Sequence, residues 1–247
     1  MGDFSAEIAK IAEISGDEYI ETLWRNYKFP NTNIELNSNI SVYESGFIIQ
    51  LIADYIKHSN DTTIRVFEIG LAYGTSTISA MSALAKHTNQ VIYDSVDIEQ
   101  TKYWKDIGMK HIAEYLKLNK NITHSLVQKS STIVMPAVKS KYDIIIVDGS
   151  HATDMVLQDL RNGDRMLKAG GLMILDDVIH PGVRGAMIII NKEWGVDIGR
   201  KYEIVKIVDG GTVRGSKMYA KRDKRSFNDP KTMYCLRKKH VRGGASD

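Results

Sequence analysis

One cysteine, Cys235, is all the thiol this chain has, so no disulfide can close within it. Such usage suits a reducing compartment. Long apolar runs are missing too. The stretch "GAMIII" falls far short of the ~20 residues a membrane helix needs, which excludes a helical span. The opening "MGDFSAEIAK" lacks the apolar core of a signal peptide, and Ala6 stands where a myristoylation site needs Ser or Thr. The expectation is a soluble, cytoplasmic protein with no membrane partner. Repeats and low-complexity segments are absent as well.

What is present is ordinary globular material. With 247 residues, 43% hydrophobic and 26% charged, the chain is long enough for one large α/β domain or two small ones. The net charge of +3 is unevenly spread: Lys217 to Asp247 holds ten Lys and Arg against three acids, leaving the rest of the chain at −4. A basic C-terminal stretch on an acidic body reads either as a solvated tail or as a contact for RNA or another polyanion.

Apolar periodicity organises the chain. Phe4, Ile8, Ile11 and Ile14, then Tyr19, Ile20, Leu23, Trp24 and Tyr27, follow helical spacing, and "ESGFIIQLIADYIKH" reads as a further helix. From Thr63 short apolar runs alternate with helical patterns: "TIRVFEIG", "QVIYDSVDI", "ITHSLVQKS", "YDIIIVDG" and "GLMILDDV" are five strands. Two more, "KYEIVKIVD" and "GSKMYAKR", are joined at Gly210-Gly211. Strands separated by helices predict a mainly parallel sheet covered on both faces, here with an antiparallel edge. Ligands of such sheets bind beyond the carboxyl ends of the strands, where strand order reverses. Carboxylates ending two core strands therefore sit where a ligand is handled.

"FEIGLAYGTST" joins the first strand to its helix. Gly70 permits a tight turn, and Gly74 permits a close backbone approach. The stretch is neither the dinucleotide fingerprint, because Ala72 and Thr75 stand where glycines are required, nor a Walker loop, because the Gly-Lys-Ser/Thr ending is missing. Glu68 would repel a pyrophosphate but could hold an ammonium or a hydroxyl. Asp97, ending the second strand, is placed to accept hydrogen bonds from a ribose diol.

On these motifs the chain resembles the class I S-adenosylmethionine-dependent methyltransferases, from about Thr63 to Arg222: "FEIGLAYGTS", "VDI", "YDIIIVDGSH" and "LKAGGLMILDDV" occur in the family's order. The resemblance implies a Rossmann-like, doubly wound seven-stranded sheet with an antiparallel C-terminal hairpin and extra N-terminal helices. It divides the chain into a helical segment, 1–62, on the substrate side, a methyltransferase domain, 63–222, and a basic tail, 223–247. It implies S-adenosylmethionine as cofactor, held by Glu68, Gly70, Gly74 and Ser76, by Asp97 at the ribose, by Lys129 and Ser130 near the adenine, and by Asp148.

Within that family, "VDGSH…LDD" is similar to the family-24 and macrocin-type small-molecule O-methyltransferases. The similarity implies Asp148, Asp176 and Asp177 as ligands of a Mg²⁺ ion that grips substrate oxygens. All-oxygen ligation suits such a hard ion. Asp148 as a helix cap and Asp177 as a loop bond are the structural alternatives. His151 is the candidate base, since imidazole ordinarily titrates near neutrality, and His180 is a second candidate. The expected reaction is O-methylation of a small molecule or sugar. The alternatives are an RNA-directed methyltransferase using the basic tail, with Phe227 and Tyr234 available for stacking, and a cofactor-binding protein without catalysis. Trp24, Tyr27, Phe29 and Tyr43 could stack on an acceptor ring or simply pack a core.

Overall fold

The computed structural model describes residues 9, 12–13, 15–26, 40, 42–86, 90–195, 199–209, 212–215 and 233–240. Before the sheet lie α1 (Glu18–Asn26) and α2 (Val42–Lys57). There follow β1 (Thr63–Ile69), α3 (Thr75–Leu84), β2 (Gln90–Val96), α4 (Ile107–Leu118) and β3 (Ile122–Val127). A short α5 (Ser131–Val134) leads to β4 (Tyr142–Val147), α6 (Thr153–Met166), β5 (Leu167–Leu175) and α7 (Pro181–Trp194). The chain closes with β6 (Tyr202–Asp209), β7 (Thr212–Gly215) and β8 (Met233–Lys238).

The eight strands among the described residues form one sheet in the order β3-β2-β1-β4-β5-β8-β6-β7. β1 to β5 are mutually parallel, whereas β8 pairs antiparallel with both β5 and β6. Setting aside the short edge strand β7, this is the expected seven-stranded, doubly wound, Rossmann-like sheet with its antiparallel end. β4 is buried along its whole length, as a central parallel strand covered on both faces must be. One face is packed by α1 to α4, through residues such as Ile20, Phe47, Ile52, Ile78 and Ile112. The other is packed by α6 and α7, through Val156, Leu160, Val183 and Ile190.

α3 is buried at every position although it reads TSTISAMSAL. Its small residues let it lie between α2 and the sheet, and its hydroxyls are satisfied locally. Ser79 Oγ donates to Thr75 O (2.6 Å), Ser82 Oγ donates to Ser79 O (2.8 Å), and Ser79 shares a 2.6 Å hydrogen bond with Ser45 of α2.

The C-terminal expectation needs correcting. The hairpin across residues 210–211 is present as β6 and β7, but its second strand is Thr212–Gly215. Residues 216–222 of the expected strand lie outside the described residues. The strand that enters between β5 and β6 is β8, from within the stretch read as a basic tail. Met233, Cys235 and Leu236 are fully buried there. Its two cations are also engaged: Lys238 Nζ donates to Asp164 O (2.6 Å), and Arg237 faces Glu203 at 3.6 Å. The boundary at 222 thus divides the sheet's own strands. The side chains of Trp24, Tyr27, Phe29 and Tyr43 lie outside the described residues.

Candidate active site

Strand order reverses between β1 and β4, and the loop after β1 lies at that point. Gly70 has φ 84°, and a Cβ on it would stand 1.9 Å from Asp148 O, so a side chain there would drive β1 and β4 apart. Ala72 occupies the left-handed region at φ 43°, without glycine's freedom. Asp97 holds that turn in place: its Oδ2 accepts from Leu71 N and Ala72 N, each at 2.9 Å, while its Oδ1 accepts from Glu99 N at 2.8 Å. Gln100 Nε2 adds a bond to Ala72 O at 2.9 Å. The β2-end acid is therefore a brace for the glycine loop as well as a wall of the site.

A cavity of about 260 Å³ opens beside this loop, and Gly70, Asp97, Lys129, Ser130 and Asp148 all line it, together with Ala72, Glu99 and Trp104. The first five are expected from the sequence; Glu99 and Trp104 are not. The spacing Asp97-Ile98-Glu99-Gln100, a run of polar side chains just past a buried strand, is the signal that could have marked Glu99 and Gln100. Trp104 stands edge-on to Tyr73 with ring centroids 5.1 Å apart, which holds its indole on the cavity wall.

Glu68, Gly74 and Ser76 are not on the cavity wall. Gly74 caps α3 at φ 76°. Glu68 is fully buried beneath the loop, where it accepts from Ser76 Oγ (2.5 Å), Thr77 Oγ1 (2.5 Å) and Tyr93 OH (3.0 Å). Burial pushes its carboxyl up from 4.5 to about 7, against the three hydroxyls that favour the charged form. The folded state therefore holds this proton more tightly than the unfolded chain does. The stability it contributes is complete below about pH 4.5 and lost as pH rises through about 7. Urea melts of Glu68→Gln should show the variant gaining about 3 kcal/mol on the wild type between those limits. A constant difference across that range would contradict the buried titration.

At the rim, β4 and β5 run side by side, with Val147 paired to Leu175, so the residues following them meet. Asp176 is buried (3% exposed), and its Oδ1 accepts its neighbour's Asp177 N at 2.7 Å. Asp177 adopts φ 52°, and this left-handed turn brings its carboxylate to His151: Nε2 to Oδ2 is 3.0 Å. Asp148, His151 and Asp177 each offer a ligand atom within 4.8 Å of the others. Of the expected trio of aspartates, Asp148 and Asp177 thus come together with His151, while Asp176 lies buried beside them. His180 caps α7 through Gly182 N and lies near His151, with ring centroids 4.5 Å apart.

Comparison with known proteins bears on the domain and the fold. A family model described as a methyltransferase domain matches residues 67–178. No curated protein matches by sequence. Among solved structures, the fold is similar to the O-methyltransferase TomG from Streptomyces achromogenes, in complex with S-adenosylmethionine (15% identity, 94% of this chain and 89% of that one, TM-score 0.55). It is similar too to an O-methyltransferase from Bacillus cereus in complex with S-adenosylhomocysteine (15% identity, 94% and 90%, TM-score 0.53). An rRNA methylase from Streptococcus thermophilus shares the fold at 13% identity, 78% and 96% coverage and TM-score 0.50. With the glycine loop and the β2-end acid inside it, the segment 67–178 matches the methyltransferase-domain family, and the chain carries it on a Rossmann-like methyltransferase fold.

Proposed function

We propose that the protein methylates a hydroxyl oxygen of a small molecule or sugar, with His151 as the base. The observation that carries this reading is the 3.0 Å pair of His151 Nε2 and Asp177 Oδ2, beside Asp148 on the cavity wall. Donating Nε2–H to a carboxylate fixes the imidazole tautomer and leaves Nδ1 to accept the substrate's proton. The cavity's donor set suits a nucleoside: a carboxylate for a diol at Asp97, a hydroxyl at Ser130 and an aromatic face at Trp104. When bound, the cofactor supplies a methyl group already activated on a sulfonium. The chain's own task is then to align the hydroxyl with it and to remove one proton. Residues 1–62 furnish the cover on the substrate side in this reading, and Gly70, Asp97, Lys129, Ser130 and Asp148 hold the cofactor.

A second reading has one observation in its favour. The 3.0 Å between His151 and Asp177 is also the spacing of two adjacent ligands about an ion at ~2.1 Å. Asp148, His151 and Asp177 would then hold a divalent metal, Mg²⁺ or, given the imidazole, a softer ion such as Mn²⁺. The two readings compete for His151, since a ligating Nε2 cannot also donate to Asp177. Turnover on a panel of hydroxyl acceptors, with and without chelator, separates them. The base reading predicts turnover that survives chelation. Loss in chelator, restored by Mg²⁺ or Mn²⁺, would transfer His151 to the metal.

A further inference from the structure

Another cavity, of about 800 Å³, opens at the opposite end of the sheet, where Arg200, Lys201, Lys238, Lys239 and His240 surround Trp194. β8 runs from Tyr234, beside Leu175 at the rim, to Arg237, beside Leu172, so its last cations stand far from the candidate active site. α7, with 14 residues and a length of about 20 Å, separates His180 at the rim from Trp194 at this cleft. Backbone bonds draw the segments together. Lys239 N donates to Lys201 O (2.9 Å), Arg200 N to Gly195 O (2.9 Å) and Lys201 N to Trp194 O (3.2 Å). Trp194 stacks on Tyr202 with centroids 4.7 Å apart, and Lys201 Nζ lies 5.5 Å from the centre of the indole, which stiffens the wall.

The cations outnumber the acids that could neutralise them. Asp164 accepts from Lys201 Nζ (2.6 Å) and also faces Lys238 Nζ (3.3 Å), while Glu193, on the same wall, is taken by Arg161. Arg200 and Lys239 are exposed and face no carboxylate among the described residues. Four cations against the one carboxylate of Asp164 leave an excess of three positive charges. Crowding like charges costs free energy, which a bound anion recovers. Lys238 registers that crowding: burial lowers its pKa in spite of Asp164, and Lys201 and Lys141 press in the same direction.

The geometry points to a binding site for a short chain of linked phosphoryl groups, inorganic or carried by a nucleotide, at the end of the sheet remote from the rim. Such a chain carries negative charge comparable to the excess in the cleft. Arg200 can grip two oxygens of one phosphoryl group, and the lysine ammoniums meet the others as point charges. A concave cluster suits a compact anion, whereas an extended polynucleotide needs a charged groove that follows its backbone.

The test is calorimetric titration of the full chain with inorganic tripolyphosphate, in chelator so that no metal bridges the probe to the rim. One-to-one binding that weakens as salt is added is the expected result. The double variant Arg200→Gln, Lys239→Gln should weaken it by about 100-fold, roughly tenfold for each charge-assisted contact removed. Its thermal melt should match the wild type, since neither side chain is buried. If the double variant fails to fold, Lys239→Glu alone should weaken binding by at least about tenfold. Cytidine triphosphate that binds no more tightly than tripolyphosphate supports the site and makes the phosphate chain the whole ligand. Tighter binding, lost in the same variants, supports it and adds a nucleoside end. No saturable binding to folded wild type, or binding that the variants leave unchanged, would overturn the inference. So would a single-stranded RNA that binds where tripolyphosphate does not, because the cations would then serve a polynucleotide surface.

Discussion

Replacing His151 by alanine should lower turnover by about 10²- to 10⁴-fold, the usual contribution of a positioned general base, while S-adenosylhomocysteine binds as it does to the wild type. On the proposed assignment cofactor affinity is spared, because the cavity is walled by Gly70, Asp97, Lys129, Ser130 and Asp148, whereas His151 reaches Asp177 at the rim with its side chain 41% exposed. Asp177→Asn should be impaired in the same direction but less. An amide can turn its oxygen to Nε2 and keep the tautomer, but it lacks the charge that stabilises the imidazolium formed during transfer. Single-turnover measurements with cofactor in excess read the chemical step directly. An unchanged rate in His151→Ala would remove this residue from the reaction.

The largest structural effect should come from the C-terminus. Deleting residues 233–247 should abolish cooperative folding, although the sequence places them in a polar, basic stretch. β8 pairs on both sides, with β5 and with β6, so its removal opens two ladders in the middle of the sheet. Three of its side chains, Met233, Cys235 and Leu236, have no exposed surface. Burial contributes roughly 1.5–3 kcal/mol for each large apolar side chain. For Met233 and Leu236 alone this is about 3–6 kcal/mol, a large part of the ~5–15 kcal/mol that holds a typical domain together. Deleting only 241–247 leaves β8 intact and should preserve the thermal transition. Circular dichroism melts of the two truncations decide the matter; a cooperative transition without β8 would contradict its place in the sheet.

The contrast between β4 and β8 shows what the residues could disclose. "YDIIIV" is legible because a parallel strand with helices on both faces is apolar along its length. "MYCLRK" is not, because its pattern is short and runs into cations whose partners, Glu203 and Asp164, come from distant elements. The glycine loop was legible for a similar reason: φ 84° at Gly70 and φ 76° at Gly74 are conformations that glycine adopts freely. Ala72 hid the same turn, since its φ of 43° is sustained by Asp97 and Gln100 from outside the loop.

At the rim, adjacent aspartates could be seen, but not which of them faces out. Successive side chains leave a strand on opposite sides. The left-handed turn at Asp177 then decides that Asp176 packs inward and Asp177 meets His151. Glu68 illustrates the converse. An acid beside a glycine loop reads as a ligand contact, yet Ser76, Thr77 and Tyr93 draw it into the core.

On the proposed function, the cavity between the glycine loop, Asp97 and Ser130 holds the methyl-donor cofactor. Calorimetric titration of wild type and Asp97→Ala with S-adenosylhomocysteine tests it directly. The wild type should bind with one-to-one stoichiometry. The variant should lose that binding, since it lacks both the wall carboxylate and the brace on Leu71 and Ala72. No heat of binding from folded wild type, or equal affinity in the variant, would contradict the assignment of the cavity.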